Sequence, residues 1–159
     1  LSGDTASSYD VMLHAVDFYQ KKGHNYDTLV LLQVTSPFRQ KESLQNALDV
    51  YSDEVEAVLS VCEAKANPYY VLFEENEEGF LRKSKELEIS RRQEAPRVYE
   101  VNGSLYVINI DALREYDSIS KFKRIVKVEM PQLYSIDIDD MNDWNYCEFV
   151  LERNLIDQS

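Results

Sequence analysis

The eight residues DTLVLLQV, 27–34, constrain the fold more than any other stretch of the chain. Their apolar side chains run on without the alternation of a one-sided strand, and TSP ends them. An uninterrupted run of this length, bounded by polar residues, predicts a strand covered on both faces, as in a parallel sheet. EAVLSVCEA, 56–64, reads the same way. Between the two, Lys41 to Ser52 places Leu44, Ala47, Leu48 and Tyr51 on one side of a helix. Upstream, Ser7 or Ser8 caps a helix from about Tyr9 to Lys22, and Gly23 suits its stop. Helix, strand, helix, strand is the alternation of an open α/β sheet.

The pattern lapses after Asn67-Pro68 and returns at Val101. Residues 69–100 read as a hairpin turning near Asn76 to Gly79, followed by the charged arm KELEISRRQEAPR. This segment has little apolar mass of its own, so it is expected to pack on something else. The chain therefore divides into a core, 1–66 and 101–159, and a small lobe, 67–100. In the second half, VNGSLYVIN (101–109) predicts a strand around a glycine that permits close backbone approach. DALREY (111–116) predicts a short helix, RIVKVEM (124–130) an alternating strand, and YSIDI (134–138) a further strand. A last helix, about Met141 to Arg153, gathers Trp144, Cys147, Phe149, Val150 and Leu151 largely on one flank.

Charge narrows the partners. At −12 the chain opposes a phosphate backbone, so nucleic acid is excluded as a partner unless basic residues cluster strongly in space. An anionic ligand would need a local arginine or a metal ion. Cys62 and Cys147 each lie in an apolar-patterned segment, which predicts buried thiols in a reducing compartment. No charged-then-apolar leader and no apolar run near the length of a membrane span is present, which points to the cytoplasm and to no membrane partner.

The residues able to carry chemistry are few. On a strand, Asp137 and Asp139 would share a face roughly 6.5–7 Å apart, with Ile136 and Ile138 turned to the core. That spacing suits two carboxylates sharing Mg²⁺ or its waters; it equally suits a half-exposed strand with acid toward solvent. Gln33, just past the carboxyl end of the first buried strand, lies where ligands collect in open α/β sheets, although Thr35-Ser36-Pro37 also reads as a capped turn. Arg91, Arg92 and Arg97 form the densest basic cluster, ready to fork onto phosphate or carboxylate, or to neutralise Glu86, Glu88 and Glu94. Asn102-Gly103 with Tyr106 offers either an amide and a phenol to a ligand, or a bulge and a core tyrosine. His14 and His24 have no partner motif, and the four glycines are too scattered for a phosphate loop.

The order of four blocks is more specific than any one of them. DTASS, LLQVTSPFR, RRQEAPRVYEVNGSLYVIN and SIDIDD, spread over nearly the whole chain, resemble the acylneuraminate cytidylyltransferase family, the CMP-sialic acid synthetases and their relatives. The resemblance implies a three-layer Rossmann-like nucleotidyltransferase α/β fold in which 67–100 is a protruding homodimerisation lobe. It implies transfer of CMP from CTP to an acidic nonulosonic sugar, with Mg²⁺ on Asp137 and Asp139. By the same resemblance Ser8 falls near the nucleotide, Gln33 between nucleotide and sugar, and Arg92, Asn102 and Tyr106 toward the sugar.

Three departures accompany the match. The family's amino-terminal basic Gly/Ser loop is absent from the sequence, so the chain reads as a truncated copy with little or no activity alone. Sialic-acid members place basic residues near the sugar where this chain has Tyr70 and Glu100, which puts sialic acid itself in question against other nonulosonates. Val34 stands where proline is common. Two rival readings follow: a non-catalytic dimerisation or regulatory module of the same fold, and, less well matched by the flanking blocks, a glycosyltransferase using the same aspartate pair.

Overall fold

The computed structural model describes residues 7–88 and 91–157. The first three residues of the DTASS block and Ile89-Ser90 of the charged arm lie outside them.

Helix α1 (Ser8–Lys21) is capped by Ser7, whose side chain and that of Asp10 satisfy each other's backbone N–H groups. It leads to β1 (Thr28–Leu32), α2 (Lys41–Val50) and β2 (Ala57–Glu63). A hairpin, β3 (Phe73–Glu75) and β4 (Leu81–Lys83), precedes the long β5 (Tyr99–Asn109), then α3 (Ile110–Glu115), β6 (Ile125–Glu129) and α4 (Met141–Glu152). The main sheet has the order β1-β5-β2-β6.

Three layers result. Met12 of α1 and Leu113 of α3 pack with Leu59 and Ile108 on one face of the sheet. Ala47 of α2 packs with Val58, Leu105 and Val107 on the other. Successive residues such as Val58 and Leu59 thus point into opposite cores, and Ala57 to Cys62 are all buried, which is why β2 is apolar without alternation.

The sheet is mixed, not parallel as the apolar runs suggest. Strand β5 lies between β1 and β2 and is antiparallel to both; only β2 and β6 run parallel. Unbroken apolarity reports cover on two faces and says nothing of the direction of neighbours. β1 is moreover an edge strand, with Val30 and Leu32 exposed.

Two further expectations change. Residues 134–138 form no strand: a 3₁₀ turn (Gln132–Tyr134) passes into an irregular segment without ladder partners. Ile138 still donates its N–H to the Thr35 carbonyl at 2.9 Å, and Ile136 and Ile138 pack toward Phe38, Cys147 and Val150. The alternation therefore reports one apolar and one polar side, a condition an extended loop meets without a sheet. In α4 only Cys147 and Val150 are buried; Trp144, Phe149 and Leu151 are exposed, because the core meets this helix on one narrow side.

β5 carries a long bulge. Its pairing with β2 jumps from Leu59–Tyr106 to Val61–Val101, leaving 102–105 out of register. Gly103, at φ +72°, supplies the left-handed residue this path needs. Ser60 stitches the gap: its hydroxyl donates to Asn102 Oδ1 at 2.6 Å and accepts the Leu105 N–H at 2.8 Å. Both cysteines are free and buried. Among the described residues no helix is long and apolar enough to cross a membrane.

Candidate active site

The end of β2, the β5 bulge and the segment entering α4 converge on an open cleft of about 640 Å³. Asn102, Gly103, Ser135, Asp137, Asp139 and Asp143 line it. Each is placed by backbone already described.

The acid run sorts itself. Asp140 is the cap of α4, accepting the N–H groups of Asn142 at 2.6 Å and Asp143 at 3.1 Å. Those bonds, the Asp143 N–H foremost, hold its carboxyl below the usual carboxylate range. Asp143 returns the favour, accepting the N–H groups of Asp139 at 3.0 Å and Asp140 at 3.1 Å. This reciprocal capping box engages Asp140 and one oxygen of Asp143, and fixes the backbone that carries Asp139. Asp137 accepts one hydrogen bond, from Ser36 Oγ at 3.3 Å. The Asp139 carboxylate accepts none among the described residues. Asp140 spends both oxygens and Asp143 its Oδ2; Asp137 Oδ2, both Asp139 oxygens and Asp143 Oδ1 accept no hydrogen bond among the described residues.

Two carboxylates are a donor set for an ion that brings its own waters and substrate oxygens. Among the described residues no group of three or more acidic, histidine or cysteine side chains is arranged to hold a metal. The pair fits Mg²⁺, which binds through one or two carboxylates and substrate phosphates, and not a metal needing a complete protein cage.

Around the pair, Tyr106 rises from β5. Burial, and secondarily the charge of Asp137, push its phenol above the ordinary value, so it keeps its proton at neutral pH. The loop before α2 is clamped by Arg39, whose Nη2 donates to the Gln33 and Ser36 carbonyls. Burial lowers the Arg39 pKa, and its Nε has no partner among the described residues. Arg39 ends the LLQVTSPFR block, but nothing in its spacing announces that it holds the loop carrying Ser36.

The predicted residues divide by position. Asp137, Asp139 and Asn102 line the cleft. The Asn102 amide is also spent internally, donating to Ser135 Oγ at 2.8 Å and accepting from Ser60. Gln33 and Tyr106 do not line the cleft; the Gln33 backbone N–H donates to the Ser104 carbonyl at 3.1 Å. Ser8, exposed at the start of α1, and Arg92 do not line the cleft. The Arg92 guanidinium lies 5.4 Å from the centre of the Tyr70 ring on the small lobe.

Comparison with known proteins finds likeness first in fold and then in sequence. The fold superposes on 4-diphosphocytidyl-2C-methyl-D-erythritol synthase of Anaerococcus prevotii with a TM-score of 0.61 at 12% identity, covering 94% of this chain and 68% of that one. The two share a three-layer Rossmann-like α/β fold. No protein-family model matches the chain. In sequence it is 28% identical over 161 residues to post-translational flagellin modification protein B of Campylobacter coli, covering 98% of this chain and 66% of that protein. It is 25% identical over 158 residues to CMP-N,N′-diacetyllegionaminic acid synthase of Legionella pneumophila, covering 97% of this chain and 66% of that protein. It is 30% identical over 156 residues to N-acylneuraminate cytidylyltransferase of Streptococcus agalactiae, covering 91% of this chain and 34% of that protein. The chain is thus similar in sequence to an N-acylneuraminate cytidylyltransferase and to a CMP-N,N′-diacetyllegionaminic acid synthase, and it spans about two thirds or less of the length of each of these relatives.

Proposed function

We propose that the protein containing this chain transfers CMP from CTP to an acidic nonulosonic sugar. One observation carries the proposal: the α4 cap engages both Asp140 oxygens and Asp143 Oδ2, and Asp137 and Asp139 are the two carboxylates of the acid run on the cleft that the capping box does not use. The names of the relatives, a cytidylyltransferase and a CMP-sugar synthase, support the same reaction.

In this reading the anomeric hydroxyl of the sugar bonds to the α-phosphorus of CTP, its proton is lost, and the bond to pyrophosphate breaks. Asp137 and Asp139 would hold Mg²⁺, which when bound neutralises charge on the phosphates and brings the reactants together. Ser36 orients Asp137, and Arg39 orients Ser36. Tyr106, protonated beside Asp137, acts as a hydrogen-bond donor to the sugar, with Gln33 between the two substrates. Asn102 forms the sugar subsite's floor, and Ser8 lies on the nucleotide side.

Arg92 enters this scheme through a homodimer. A two-stranded sheet is marginal alone, yet β3 and β4 are exposed throughout, Phe73 and Leu81 among them, as is Phe80 in the turn between. That supports 67–100 as a lobe which packs on a second copy and carries Arg92 toward its cleft. The need for CTP and two unpaired thiols support a cytoplasmic setting.

The test is pyrophosphate release by the full-length natural protein with CTP, Mg²⁺ and a panel of N-acetylneuraminate, legionaminate and pseudaminate. Release with at least one of them is expected. No release with any of them would overturn the proposal and favour a non-catalytic dimerisation module.

A further inference from the structure

Four carboxylates line the cleft, Glu100, Asp137, Asp139 and Asp143. One cation lines it: Lys65, two residues past the end of β2. Among the described residues Lys65 takes part in none of the ion pairs, which join Arg114 to Asp17, Lys121 to Asp117, Arg124 to Glu56 and Lys127 to Glu129. Nor does its ammonium sit over an aromatic ring. A lone lysine in a chain with 29 acidic residues, facing a cleft lined by four of them, has carboxylates within easy choice and is bonded to none.

Its position has a further consequence. Glu100 stands opposite Cys62 in the β2–β5 register, so Glu100 and Lys65 share the β2–β5 wall, while Asp137 and Asp139 belong to the 135–139 wall. A sugar acid on the β2–β5 wall is repelled by Glu100 and needs a cation there to enter. A compact ammonium with three donors suits one carboxylate without the fixed fork of an arginine.

We propose that Lys65 is a specificity-determining residue, pairing with the carboxylate of the sugar acid and offsetting Glu100. The inference rests on the transferase reading for its substrate class, but not for its test. In the full-length natural protein, N-acetylneuraminate and N,N′-diacetyllegionaminic acid are each compared with their carboxamides, by pyrophosphate release and by calorimetric binding.

Lys65→Met is expected to raise KM for the acid about tenfold, the scale of a part-exposed charge pair. It should leave KM for CTP within about twofold and erase the preference for acid over carboxamide. Lys65→Arg should keep most of that preference. Because Lys65 is exposed, the variants should melt with the parent. A Lys65→Met protein that still prefers the acid overturns the inference, as does a parent that binds acid no better than carboxamide. A parent that binds with a Lys65-dependent preference but releases no pyrophosphate would uphold the role of Lys65 and remove the transferase reading instead.

Discussion

Glu56 shows how much a single side chain can hold. It is buried between the end of α3 and the start of β6, where its carboxylate accepts the N–H groups of Lys123 and Arg124 and pairs with the Arg124 guanidinium at 3.4 Å. Those bonds, from Arg124 first and Lys123 second, hold its carboxyl below the ordinary range. A carboxyl depressed in the folded state stabilises the fold above its unfolded value of about 4.3, and that stability is lost as pH falls through the folded value. Glu56→Gln should therefore lower Tm at pH 7 and flatten the decline of Tm below about pH 4.5. Parallel acid limbs for parent and variant, read by circular dichroism, would contradict this.

Nothing in the sequence marks Glu56, because its partners lie 67 and 68 positions away. The aspartates were more legible. Alternation with isoleucine singles out Asp137 and Asp139, although a strand is the wrong reason for it. What separates them from Asp140 and Asp143 is the three-residue spacing of a capping box, which is local and therefore readable in SIDIDDMND.

At the scale of elements, helices and strands were mostly found where apolar spacing puts them, α1 and α2 among them. The β5 bulge was legible only as one of two options at Asn102-Gly103. Its stitch, Ser60, comes from another strand 42 positions away. Gly103 matters through its backbone: a Cβ there would meet only Tyr106 Oη at 3.8 Å, ordinary contact, but φ +72° strains any L side chain. Gly103→Ala should destabilise by roughly 1–2 kcal/mol in urea unfolding. Because the bulge forms part of the cleft wall, the same change should raise KM for sugar more than for CTP. An unaltered midpoint would mean that the bulge can relax without its glycine.

At the scale of the whole molecule, sheet order was the least legible property. The insertion of β5 between β1 and β2 brings together segments some 75 residues apart, and neither run of apolar residues encodes that. The small lobe reads in the sequence as a segment too poor in apolar mass to stand alone, and the residues of its hairpin strands are all exposed. If the lobe joins two copies, replacing Phe80 and Leu81 together by aspartate should convert a sedimenting dimer to monomer. A parent that sediments as monomer, or a variant that stays dimeric, would remove the lobe from that role and leave Arg92 without a path to a cleft.

The account depends most on Asp137 and Asp139 holding a divalent ion beside CTP. The direct measurement is electron paramagnetic resonance of Mn²⁺ titrated into the full-length natural protein with CTP, for the parent and for Asp137→Asn and Asp139→Asn. Each variant should lose at least about tenfold in Mn²⁺ affinity, since removing even an outer-shell partner of a metal costs that much. Mn²⁺ bound as tightly by both variants as by the parent would contradict the account.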